Sequence, residues 1–190
     1  MTFHLNRAST MNSLRNFYFL RAGAALIWVA LVFASAPAPL LLAGALLVAY
    51  PAWDAVANVL DALRSGGLQA NPGQKFNAVV SIVTAACMAI AFALYGNAGG
   101  VLVFGAWALL AGLFQLAVGI RRRKLGGQVF MMISGVQSAL AGVVFIVQAF
   151  GVAPGLRQLA PYAAFGGLYF LLSALWLTFK KSSPAAATVS

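Results

Sequence analysis

Acidic residues are almost missing: two aspartates and no glutamate stand against twelve Lys and Arg in 190 residues, and only 7% of the chain is charged. Water-soluble domains coat themselves with about a quarter charged residues, so a soluble fold is excluded. A single cysteine, Cys87, cannot form an internal disulfide, and the single histidine, His4, has no metal-ligating company at useful spacing. Gly96, Gly99 and Gly100 lack the strand, helix and lysine context of a phosphate loop and read as a turn. The chain therefore offers no catalytic set, no metal site and no cofactor motif, and a non-enzymatic protein is expected. The net charge of +10 does not point to nucleic acid, because the cations sit at the ends of apolar runs and not in one patch with interleaved aromatics.

What is abundant is apolar sequence: 63% of residues are hydrophobic and the mean hydropathy is +0.93. About 20 apolar residues at 1.5 Å rise cross a hydrocarbon core about 30 Å thick. Runs of this kind lie near Phe17–Ala36, Leu40–Leu63, Phe76–Tyr95, Val101–Ile120, Gln128–Phe150 and Tyr162–Phe179. They are apolar all round, without the period-2 alternation of a β-barrel, so an all-α integral membrane fold of six transmembrane helices is expected. Residues 1–16 read as a polar N-terminal arm, 17–179 as the membrane domain in hairpins of about 17–63, 76–120 and 128–179, and 180–190 as a tail. With the N-terminus inside, eleven of the twelve cations fall on the cytoplasmic side and only Arg157 outside, the asymmetry of the positive-inside rule. Both termini are then cytoplasmic. Ala34-Ser35-Ala36 resembles a signal-peptide cleavage site, but Pro37 directly after it opposes cleavage.

Spans four and six align at an offset of 61 residues, Phe104-Gly105-Ala106 over Phe165-Gly166-Gly167, and the same offset places Gly44 under Gly105 and Asp54 under Gln115. The chain thus reads as three repeated helical hairpins. Ser134, Ser138 and Gly142, and separately Ala108 and Gly112, have the small-xxx-small spacing of close helix contacts, with another span or another subunit as partner. Phe17, Tyr18 and Phe19 at one end and Tyr95 and Tyr162 at others fit interfacial anchors or, equally, ordinary lipid-facing residues.

Asp54, Asn58 and Asp61 share one helix face in the second span. An aspartate at membrane depth costs about 2.5 to 3.5 kcal/mol on insertion scales and needs a partner. Arg21, at an intermediate depth on the neighbouring span, is the expected counter-ion. Other polar side chains, Asn77, Ser81 and Thr84 on the third span, Gln115 on the fourth, and Ser134, Gln137 and Ser138 on the fifth, fall in the same inner half. Two arrangements suit such a set: interhelical hydrogen bonding around a fold-holding Arg21–Asp54 pair, or a wet cavity open to the cytoplasm behind an apolar outer plug.

Three hairpins, basic inner ends, Gly44, the Phe-Gly openings of spans four and six, the run Tyr50-Pro51-Ala52-Trp53-Asp54, and Ser134-Gly135 with Gln137-Ser138 together resemble the HdeD-like acid-resistance membrane proteins over roughly residues 17–179. That resemblance implies a multi-pass protein of the bacterial cytoplasmic membrane connected with acid or general stress. It supplies no catalytic residues. The leading expectation is a non-enzymatic protein of the lipid bilayer that supports envelope or acid-stress tolerance, with a homo-oligomer or a complex with a membrane-protein partner as the candidate assemblies. A small-solute or proton transporter using a pocket around Arg21, Asp54 and Asn58 is the alternative.

Overall fold

A computed structural model describes residues 2–34, 40–121, 129–151 and 155–179. These residues are all-helical: α1 (Thr2–Ala34), α2 (Leu40–Arg64), α3 (Pro72–Arg121), α4 (Val129–Ala149), a 3-10 turn at Leu156–Gln158, and α5 (Ala160–Phe179). Among the described residues five helices are long and apolar enough to cross a membrane. The stretch 2–16 of the expected polar arm is helical and continuous with the rest of α1, whose apolar span begins at Leu14. The tail 180–190 lies outside the described residues.

The third helix spans 50 residues, which straight would reach about 75 Å, more than twice a hydrocarbon core. It is not straight. At Gly96 the backbone leaves the helix with φ 60 and ψ −143, a left-handed value that glycine adopts without a Cβ penalty. The two arms, 72–95 and 97–121, then lie side by side, with the Phe76 and Phe114 rings 5.1 Å apart. The reversal is tight: a Cβ on Gly99 would stand 2.2 Å from the Ala91 carbonyl oxygen. A turn was expected over 96–100, but the break takes one residue and helix resumes at Asn97.

Antiparallel neighbours close the helices into a ring. Trp28 Nε1 on α1 donates to the Leu46 carbonyl of α2 at 2.7 Å. α2 returns along the first arm of α3, where Gly44 faces the Phe92 ring. The second arm runs against α4, α4 bonds α5 through Ser138 and Tyr162, and α5 packs back on α1 where Gly167 meets Ala25. Asn71 holds the α2–α3 connection by donating to the carbonyls of Ser65 and Gly67, both at 2.9 Å.

Phe104 lies at the centre of this ring, fully buried among Tyr50, Trp107, Phe145 and Tyr162 with ring centroids 5.6–5.8 Å away. The buried apolar cluster around it, including Trp28, Leu47, Met88, Val101 and Leu159, occupies the half of the bundle far from Arg64 and Lys75. Tyr162, expected as an interfacial or lipid-facing residue, belongs to this core, while Tyr95 is exposed. The faces turned outward carry Leu31, Leu41, Ile90, Leu140 and Val147, apolar side chains suited to lipid.

Environments do not follow the 61-residue offset. Phe104 is central whereas its sequence counterpart Phe165 is half exposed, and Gly44, Gly105 and Gly166 meet a ring, a helix backbone and the Tyr50 hydroxyl respectively. The close contact of α3 with α4 contains Ala108, Gly112, Ser138 and Gly142 of the small-xxx-small reading and adds Gly105 and Gly135. Gly105 and Gly112 face Gly142 and Gly135, two glycines seven residues apart on each helix. A Cβ on Gly112 would lie 2.4 Å from the Ala139 nitrogen, and one on Gly142 would lie 2.4 Å from the Leu109 nitrogen. Backbone cannot move aside as a side chain can. Gly112→Ala and Gly142→Ala should each lower stability by about 1–3 kcal/mol through overpacking. Gly23→Ala has nothing within 4 Å to meet and should hold or gain slightly. Thermal unfolding of purified protein in detergent, followed by tryptophan emission, checks the contrast.

Candidate functional site

Four helices converge on one ion pair. Arg21 comes from α1, one turn after its buried ring partner Phe17; Asp54 and Asn58 come from adjacent turns of α2; Ser81 comes from the first arm of α3; Phe170 comes from α5. Arg21 Nη2 donates to Asp54 Oδ1. The other carboxylate oxygen, Oδ2, accepts from Ser81 Oγ at 2.8 Å and from Asn58 Nδ2 at 3.0 Å. The i, i+4 spacing also brings Asn58 Nδ2 to 2.8 Å from the Asp54 carbonyl. α2 runs unbroken through the buried Pro51 just before this site.

The guanidinium is held on its faces as well as its edge. Its carbon lies 4.3 Å from the Phe170 ring centroid and 5.9 Å from that of Phe17. Phe17 is buried and shares its ring with a second cation, Arg64, at 5.2 Å. Cation–π contact away from water is worth about 2 kcal/mol, comparable to the other interactions here. Asn58 and Ser81 are buried, while the Arg21 and Asp54 side chains keep 17% and 21% of their surface accessible.

The remaining polar residues named from the sequence do not join this group. Asp61 accepts from Gln74 at 3.2 Å along the α2–α3 interface, and Arg64, three residues on, stacks on Phe17 instead. Arg21–Asp54 is the one ion pair among the described residues. Thr84 is buried on the same arm as Ser81, whereas Asn77 is exposed. Gln115 and Ser134 are half-buried on the second arm and on α4. Ser138 donates to the Ala108 carbonyl at 3.0 Å, so its 2.8 Å contact with Tyr162 is a hydroxyl donation from the tyrosine. Gln137 accepts from Tyr169 at 3.0 Å. These are α4–α5 contacts, and the open groove of α4, lined by Met132, Ile133, Val136, Gln137 and Leu140, contains none of the Asp54 group.

Sequence reasoning did not bring Phe170, Gln74 or Tyr169 to these contacts, and it read Phe17 as an interfacial or lipid-facing ring where the structure buries it against Arg21 and Arg64. Phe17 stands four residues before Arg21 and was within reach of a helical-spacing search; Phe170 is visible only once α5 is placed against α1. Among the described residues no three His, Cys or carboxylate side chains gather as metal ligands. Chemically the site is a neutralised charge pair with its hydrogen-bonding capacity directed into the protein.

Comparison with family models, with curated proteins and with solved structures returns no match.

Removing one partner leaves the other charge uncompensated in apolar surroundings. Asp54→Ala should cost about 3 kcal/mol, at the lower end for a buried pair because both side chains are partly accessible. Arg21→Leu combined with Asp54→Leu should recover most of that loss. A double-mutant cycle by denaturant unfolding in detergent measures the coupling, and additive losses would show that the two charges do not depend on each other.

Proposed function

We propose that this chain is a six-crossing, non-enzymatic protein of the bacterial cytoplasmic membrane, of the HdeD-like kind, that supports acid or envelope stress tolerance through a rigid intramembrane bundle offered to a membrane partner. The observation that carries this reading is the closure of the Asp54 site: both carboxylate oxygens are engaged by donors from α1, α2 and α3, and the cation is covered by two rings. A carboxylate that carries a proton or a solute through a cycle has to exchange partners with water. Here its partners are protein groups, and beyond them lies the aromatic layer around Phe104.

Six crossings follow from counting the two arms of α3 separately, which the reversal at Gly96 supports. An odd number of arms would leave the basic stretches on both sides. With six, Arg15, Arg64, Lys75 and Arg121 through Lys124 share the cytoplasmic side, as the positive-inside rule requires.

One observation favours the transporter alternative, the residual accessibility of Arg21 and Asp54. Flux of protons and a panel of small solutes in proteoliposomes, wild type against Asp54→Asn, separates the two. Background flux in both is the expected outcome; flux that Asp54→Asn abolishes would replace the proposal with transport. The stress role predicts in turn that cells carrying the protein survive an acid shock better than cells lacking it, counted as colonies after exposure.

A further inference from the structure

α4 carries two stripes on opposite faces. Gly135, Ser138, Gly142, Phe145 and Ala149 point inward against α3 and α5. Ile133, Gln137, Leu140, Val144 and Val147 recur at alternating spacings of four and three on the opposite face; the four aliphatic residues are exposed, Leu140 by 63% and Val147 by 66%, and Gln137 among them is half-buried. Aliphatic side chains on the outside of a membrane helix face lipid without further explanation. Gln137 does not fit that explanation.

Its Oε1 accepts the Tyr169 hydroxyl, but its Nε2 carries two N–H donors that find no acceptor among the described residues. Hydrocarbon supplies none. Gln137 lies eight residues into α4, about 12 Å along the axis, too deep for a lipid headgroup at the helix end. A carboxamide is its own complement, and Oε1 keeps a second lone pair beside the one Tyr169 uses. α4 contains no charged residue, so two copies of this face meet without repulsion. The four-three spacing is that of a left-handed helix pair, in which a single amide at a core position sets the register.

We infer that α4 is the seam of a homodimer, two copies related by a two-fold axis along the helices, with each Gln137 Nε2 donating to the Gln137 Oε1 of the other copy. The inference rests on the membrane placement proposed above and not on the stress role. The groove beside Gln137, lined by Met132, Ile133, Val136 and Leu140, receives the aliphatic side chains of the second copy.

Oxidative cross-linking of the full chain tests it, in native membranes and in proteoliposomes at high dilution in lipid. On a Cys87→Ser background, Leu140→Cys should give a disulfide-linked dimer, and Ile90→Cys, exposed on the first arm of α3, should not. Adding Gln137→Leu to Leu140→Cys should reduce the linked fraction about tenfold at dilutions near the dissociation midpoint. Tyr169→Phe removes the same intrachain hydrogen bond but leaves the amide, and should link like the parent. Equal linking from Ile90→Cys, linking insensitive to Gln137→Leu, loss with Tyr169→Phe, or a purified chain that stays monomeric would each overturn the dimer. Release of the protein from membranes by alkaline carbonate would instead overturn the membrane placement.

Discussion

A charge inside hydrocarbon has to bring its own opposite, and the Arg21–Asp54 pair is where this chain meets that requirement. Asp54 is held from α1 by Arg21, from its own helix by Asn58 and from α3 by Ser81, while Arg21 is covered by Phe170 of α5. Each contact fixes the rotation of a helix about its axis as well as its distance. A purely aliphatic interface would tolerate rotation by a residue; a carboxylate with two engaged oxygens does not. The pair therefore acts as a registration point for one half of the bundle, and its cost in desolvation is offset by specificity of arrangement.

The other half is ordered by shape. Phe104 and its aromatic neighbours fill the interior far from the basic end, and along both halves glycine against glycine brings α3 and α4 to backbone contact. Lipid tails are as apolar as leucine, so exclusion from water contributes little to helix association within the bilayer, and close packing has to supply it. Ser138 sits in the same seam and spends its hydroxyl on the Ala108 carbonyl, a polar contact at the point where the helices are nearest. Polar registration at the Asp54 site and dense packing around Phe104 and along the α3–α4 seam divide the work between them.

Hydropathy alone disclosed the helices, with the third and fourth expected runs joined in the single α3, because a bilayer imposes length and apolarity on every crossing. The Arg21–Asp54 pairing was legible for a related reason: few charges are available, and depth along antiparallel neighbours restricts which can meet. Side-chain spacing was a weaker guide. It placed Ser138 and Gly142 in the α4 seam, where they lie, but missed Gly135, whose backbone meets α3 as closely as that of Gly142. It grouped Gln137 and Ser138 with Asp54 by depth, yet they belong to another helix interface, because depth says nothing of position around a ring. Phe170 had no local signal at all, being brought to Arg21 by the closure of the last helix on the first.

The reversal at Gly96 leaves almost no polypeptide between two helices that together span 50 residues. A connection of one residue cannot reach past the headgroups, so at that place the protein presents no handle to a protease, an antibody or a soluble partner. It also cannot lengthen, so the two arms must slide, tilt or separate as one body. Recognition at this hairpin is thereby confined to the plane of the membrane, where molecules meet flank to flank.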